Sequence, residues 1–280
     1  MKKLICFLFV FFYGYAIFAQ ENPSAADSTS TASEPDAALA AQNPLANIIS
    51  MPLQNNTSFG YGDYDKTGNT LNIQPILPFS LGKKGLTMIN RFIIPLPKTV
   101  PNLSSEDASS TTGLGDISYT VWLSPAPKGK LTYGFGAVSI WPTNSDDALG
   151  SDKFSIGPSA VLVYTPGKYL LAAVISQWWS AGGDPDAADV SNFYFQPIFT
   201  YFLQKKWYVS SAPILTADWT APEGEKWFIP IGGGGGKMFK IGKLPMDFSM
   251  QAFYYVSKPD WGPEWELRTQ LKFIFPKGKK

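Results

Sequence analysis

Residues 264–275 read Glu-Trp-Glu-Leu-Arg-Thr-Gln-Leu-Lys-Phe-Ile-Phe, and this alternation constrains the fold more than any other feature of the chain. Successive side chains of an extended strand point to opposite faces. Trp265, Leu267, Thr269, Leu271, Phe273 and Phe275 therefore share one face, and Glu264, Glu266, Arg268, Gln270 and Lys272 share the other. The same separation sets Leu71, Ile73, Leu77 and Phe79 against Asn72 and Gln74. It sets Ile117, Tyr119, Val121 and Leu123 against Asp116, Ser118 and Thr120. Phe193, Phe195, Phe199 and Tyr201 oppose Asn192, Gln196 and Thr200, and Phe248 and Met250 oppose Asp247, Ser249 and Gln251. Segments 131–141, 154–164, 169–179 and 207–216 are apolar on both sides, and alternation assigns no inner face there.

Twelve segments of this kind occur, near 52–61, 70–79, 86–95, 115–124, 131–141, 154–164, 169–179, 192–202, 207–216, 226–234, 244–256 and 264–275. An even count of strands about ten residues long is what a tilted transmembrane barrel requires. Pro75, Pro158, Pro197, Pro213 and Pro230 fall inside segments, where proline weakens a central strand. The connections alternate in charge. One set (80–85, 124–130, 165–168, 203–206, 236–243 and the tail 276–280) carries thirteen lysines and no acid. The other (62–69, 96–112, 142–153, 181–191, 217–226 and 257–263) carries fourteen acids against five lysines. Loops that emerge alternately on two sides of a layer give this pattern, whereas a soluble β-sandwich has no reason to. The basic set is also mostly shorter, as periplasmic turns are. The expected fold is all-β: an antiparallel transmembrane β-barrel of about 12 strands.

With 45% hydrophobic and only 16% charged residues, the chain is poorer in charge than an ordinary soluble domain. A formal net charge of +1 argues against a nucleic-acid partner. Histidine is absent and cysteine occurs once, at Cys6. These counts exclude Ser-His and Cys-His hydrolases, histidine-ligated zinc and disulfide scaffolds. Lys2 and Lys3, the apolar run Leu4–Phe18 and the small Ala19 predict a cleaved signal peptide over 1–19. Residues 20–42 contain almost no large apolar side chains and predict a disordered periplasmic spacer. Leu45, Ile48 and Ile49 share a helical face around Pro44–Ile49, so the barrel unit, 43–280, is expected to begin with a short helical or plug segment.

The segments Asn-Pro-Leu-Ala-Asn-Ile-Ile-Ser (43–50), Leu-Asn-Ile-Gln-Pro-Ile-Leu-Pro-Phe (71–79), Gly-Leu-Gly-Asp-Ile (113–117) and the terminal 262–277 resemble a family of bacterial outer-membrane proteins. Its members are labelled as transporters, as meta-pathway phenol-degradation proteins, or by a misapplied "neuromedin U" name. The resemblance covers about residues 43 to 277 and is most specific in the terminal motif. It implies a single-chain outer-membrane barrel that moves small, often aromatic or hydrophobic, molecules, and it carries over no catalytic residue. In this sequence the terminal Phe275 is followed by Pro276, Lys277, Gly278, Lys279 and Lys280.

If the apolar face meets lipid, the polar face of 264–272 turns inward, because Lys or Arg at a bilayer midplane costs about 2–4 kcal/mol. Glu264, Glu266, Arg268, Gln270 and Lys272, with Arg91, Asp116 and Asp247, are then candidates for solute contact in a polar constriction. The competing reading is a set of ion pairs that fills a narrow barrel. The five glycines 232–236 lack the Lys-Ser/Thr of a phosphate loop and suit a bend or close approach. Asp146, Asp147 and Asp152, and Asp184, Asp186 and Asp189, lack calcium-hand spacing and read as solvated acidic loops. The expected role is non-enzymatic: a passive channel in the outer membrane of a Gram-negative bacterium, with no cofactor and no metal. Its partners would be outer-membrane lipids, an unidentified small solute and the barrel-insertion machinery. The alternative is a plugged structural or surface-interaction barrel without transport.

Overall fold

The computed structural model describes residues 39–82, 85–107 and 109–275. The expected signal peptide, most of the spacer, Lys83, Lys84 and the tail 276–280 lie outside the described residues.

Among the described residues, the strands are β1 (Ile49–Tyr61), β2 (Lys66–Ile73, resuming as Ile76–Leu81), β3 (Leu86–Pro101), β4 (Ser110–Gly113, resuming as Ile117–Ser124), β5 (Leu131–Trp141) and β6 (Lys153–Tyr164). They continue as β7 (Tyr169–Gly183), β8 (Ser191–Phe202), β9 (Trp207–Ser211, resuming as Leu215–Asp218), β10 (Trp227–Ile241), β11 (Leu244–Ser257) and β12 (Trp265–Phe275). Each pairs antiparallel with the next. β12 returns to β1, from Ile49 opposite Phe275 to Phe59 opposite Trp265, which closes a 12-stranded barrel. Closure leaves no sheet edge with unpaired amides, the condition for a sheet to survive in hydrocarbon.

Two of the three strand interruptions fall at prolines, which donate nothing to a ladder. At Pro75 in β2 the flanking groups compensate: Gln74 donates its N–H to Pro52 O at 2.9 Å, and Phe92 donates to Pro75 O at 3.1 Å. Pro213 separates the halves of β9. Pro158, Pro197 and Pro230 sit within continuous strands, and a register shift at Ile229/Pro230 absorbs the last of them.

The outer face is apolar: Phe135, Leu162, Leu171, Ile175, Phe199 and Met250 all stand exposed there. Trp141, Trp179, Trp219, Trp261 and Trp265 are exposed near the acidic-loop end and Trp207 near the basic end, as interfacial aromatics would be. Trp178 is half-buried and falls on the same face of β7 as the buried Val174 and Ser176.

The core lies inside the barrel. In β6 and β7, Val161, Val163, Leu170 and Val174 turn inward and are buried, whereas Leu162 and Leu171 face out. Those inner residues pack with Ile89, Trp122, Phe202, Met238 and Ile274 around Ala41 and Leu45 of the N-terminal segment. This explains the segments that are greasy on both sides. One face is the outer surface, and the other meets a chain segment rather than water.

That segment differs from expectation. Residues 39–42, assigned to a disordered spacer, are helical, and Ala41 is buried. No helix forms over Pro44–Ile49: Asn43 accepts the N–H of Leu45 on its side chain (2.8 Å) and that of Ala46 on its carbonyl (3.1 Å). The residue before a proline is disfavoured in the helical region, so the chain turns at Asn43-Pro44 and enters β1 at Ile49.

Candidate functional site

The inner positions of β12 and its neighbours form two polar storeys. In the storey toward the acidic loops, Glu266 Oε1 accepts from Arg268 Nε at 3.1 Å and Nη2 at 2.9 Å. Both side chains are about 8% exposed, so each charge has its partner where water is scarce. Arg268 Nη1 donates to Ala212 O at 2.7 Å, the guanidinium lies 4.6 Å above the Phe253 ring, and Tyr255 donates to Glu266 Oε2 at 3.3 Å.

Six residues further along β12, about 20 Å by strand rise, lies the second storey. Lys272 is in register with Asp247 of β11 and donates its Nζ to Ala41 O at 2.8 Å. Asp247 is fully buried, and its Oδ2 accepts from Tyr208 (2.8 Å) and from Gln42 Nε2 (3.0 Å). Arg91 of β3 donates from Nη2 to Gln74 Oε1 at 2.9 Å.

Between these groups and the N-terminal segment lies a cavity of about 130 Å³. Arg91, Arg268, Gln270 and Lys272 line it, with Gln54, Gln74, Gln196 and Gln251 around them. The apolar part of the lining is Ile48, Ile76, Val174, Ile198 and Ile274. The volume holds several waters or one small solute.

The structure thus brings Arg91, Arg268, Gln270 and Lys272 together on the cavity, and puts Asp247 and Glu266 behind them as counter-charges. The other two candidates lie elsewhere. Asp116 sits between the halves of β4 and anchors loop 142–152: its Oδ2 accepts from Ser151 N (2.8 Å) and Oγ (3.0 Å), and its Oδ1 from Asn144 N (3.3 Å). Glu264 precedes β12 at the acidic-loop mouth and pairs with Lys258 at 3.1 Å. The loop aspartates have local partners too. Asp146 caps Ala148 N, Asp152 accepts from Asn144, and Asp189 accepts from Ser180.

Sequence reading did not single out Gln42, Gln74 or Tyr208 for the site. Gln74 stands on the polar side of an alternating segment, which was its one signal. Gln42 lies before the first strand, and Tyr208 falls in a segment whose faces could not be told apart.

Two solved structures share this architecture. An outer membrane channel from Pseudomonas putida F1 is similar with a TM-score of 0.64 at 16% identity, over 91% of this chain and 100% of that one. A NanC porin is similar with a TM-score of 0.51 at 9% identity, over 81% of this chain and 99% of its own. At these identities the likeness is one of fold. No family model matches the sequence, and no curated protein matches it.

Proposed function

We propose that the protein is a passive outer-membrane channel for small solutes. The cavity carries this reading: a polar, cationic chamber enclosed by a closed barrel whose outer face is apolar. A barrel with a greasy exterior is stable only in lipid, and a polar interior there serves solutes that lipid excludes. The acidic loops face the cell exterior and the lysine-rich turns face the periplasm, so solute enters between Asp- and Glu-bearing loops. Assembly requires export and the barrel-insertion machinery, and nothing in the sequence couples passage to an energy source. The resemblance to transporter-labelled and phenol-degradation-labelled proteins supports an aromatic or hydrophobic component in the solute, as do the isoleucines of the cavity.

The refolded protein in planar bilayers should give discrete current steps, and liposomes carrying it should swell in solutions of small solutes. Absence of both sinks the proposal. A second reading, a plugged structural or surface-interaction barrel, is favoured by residues 39–48, which pack into the basic half of the interior. On that reading neither current nor swelling appears, even when those residues are deleted.

A further inference from the structure

We propose that the cavity binds small carboxylates with an apolar body, and that Arg91 takes the carboxylate. The proposal rests on the channel reading and extends it to the class of solute.

Among the described residues, the cavity lining carries three cations, Arg91, Arg268 and Lys272, and no carboxylate. The three are not equivalent. Arg268 is committed: two of its nitrogens bond Glu266 and the third bonds Ala212 O. Lys272 bonds Ala41 O and stands opposite Asp247, whose other partners are neutral. Arg91 has one neutral acceptor, Gln74, and its buried Nε meets no partner. Among the described residues, no acid lies within ion-pair distance of it. Arg91 also repels Lys272 across the same space.

A half-buried guanidinium with an unused N–H and a like charge beside it is an arrangement that an anion relieves. The planar donor fork selects a carboxylate, which accepts two parallel bonds from it. The apolar part of the lining fixes what the carboxylate carries. Ile48, Ile76, Val174, Ile198 and Ile274 offer no hydrogen bond and favour a compact hydrocarbon group. A polar polyol would leave its hydroxyls unmatched against them. A neutral hydrocarbon would leave Arg91 as it is. An organic monocarboxylate satisfies the cationic and the apolar lining at once.

The test is calorimetric titration of benzoate into the detergent-refolded mature chain, with benzamide as the neutral analogue of the same shape. Benzoate should bind saturably and benzamide at least tenfold more weakly. Arg91→Gln should weaken benzoate at least tenfold without changing benzamide, and Arg91→Lys should recover part of the loss. Circular dichroism and the heat-shifted gel migration of folded barrels establish that each variant is folded. If Arg91→Gln does not fold, the benzoate–benzamide contrast on the unaltered chain decides. Equal binding of the two, no binding of either, or undiminished benzoate binding by folded Arg91→Gln overturns the proposal. The readout needs no ion current, so the two proposals fail separately. A conducting barrel indifferent to benzoate refutes only the anion site, and a non-conducting barrel that binds benzoate refutes only the channel.

Discussion

Tyr208 reaches Asp247 by lying across Gly236: its hydroxyl donates to Asp247 Oδ2 at 2.8 Å over an inner-face position that has no side chain. A Cβ at Gly236 would collide with the Tyr208 ring and hydroxyl and come within 2.6 Å of Phe248 O. One glycine of the five-glycine run thus makes room for a buried hydrogen bond to a carboxylate. Gly236→Ala should displace Tyr208, remove a donor from Asp247 and cost about 1–3 kcal/mol. Gly182→Ala, where no atom lies within 4 Å of the new methyl, should change stability by less than about 0.5 kcal/mol. Urea unfolding in lipid vesicles, followed by tryptophan fluorescence, compares the two. Equal effects would mean that the close approach at Gly236 is not what the glycine is for.

The pair Glu266–Arg268 is a buried ion pair within one strand, and losing one partner leaves the other charge in a water-poor interior. Arg268→Met should destabilise by about 3–5 kcal/mol, because Glu266 keeps only the 3.3 Å bond from Tyr255. Glu266→Gln combined with Arg268→Met should cost less than Arg268→Met alone, since no charge is then stranded. A double-mutant cycle by equilibrium unfolding measures this, and additive single effects would refute the coupling.

The fold was legible in the sequence where one face met lipid and the other met polar groups. Segment 264–275 gave β12 and its inner residues almost position by position, since lipid and lumen demand opposite chemistries of alternate residues. Legibility failed where the interior is apolar. Val161 and Leu162 are chemically alike, but one packs under Leu45 and the other faces outward, and no local pattern separates them. The site was half legible for a related reason. Charges on β12 announce themselves, but Asp247 depends on Gln42, 205 residues away in the chain, and on a tyrosine in an unreadable segment. Asp116 has the same alternating context as Asp247 yet holds a loop. The difference lies in depth along the strand, which spacing does not report.

Depth also governs what the outer face tolerates. Met250 lies mid-way along β11 and is exposed, whereas Ile241 ends β10 beside the Gly242–Lys243 turn. Met250→Arg should cost about 2–4 kcal/mol in a bilayer, and Ile241→Arg about 0–1 kcal/mol, because arginine near an interface reaches water. Unfolding in vesicles should show the gradient. If both substitutions are harmless, the apolar surface does not face hydrocarbon, and the channel reading falls with it.

Residues 39–48 occupy the basic half of the interior, so their removal tests what they do there. Deleting residues 20–48 frees the space beside Val161, Val163, Leu170 and Val174 and takes Ala41 O from Lys272 and Gln42 from Asp247. Two consequences follow from the same contacts. Single-channel conductance should rise several-fold, because the passage past Lys272 loses its obstruction. Stability should fall by about 1–3 kcal/mol, because two buried charged groups each lose a partner. Leu45→Ala separates obstruction from support. It leaves both polar contacts in place but empties a packed position against Gly134 and Trp122, weakening the segment's hold. The current through Leu45→Ala should therefore flicker between the low level of the full chain and the high level of the deletion. A deletion whose conductance equals that of the full chain would place the permeation path elsewhere in the barrel.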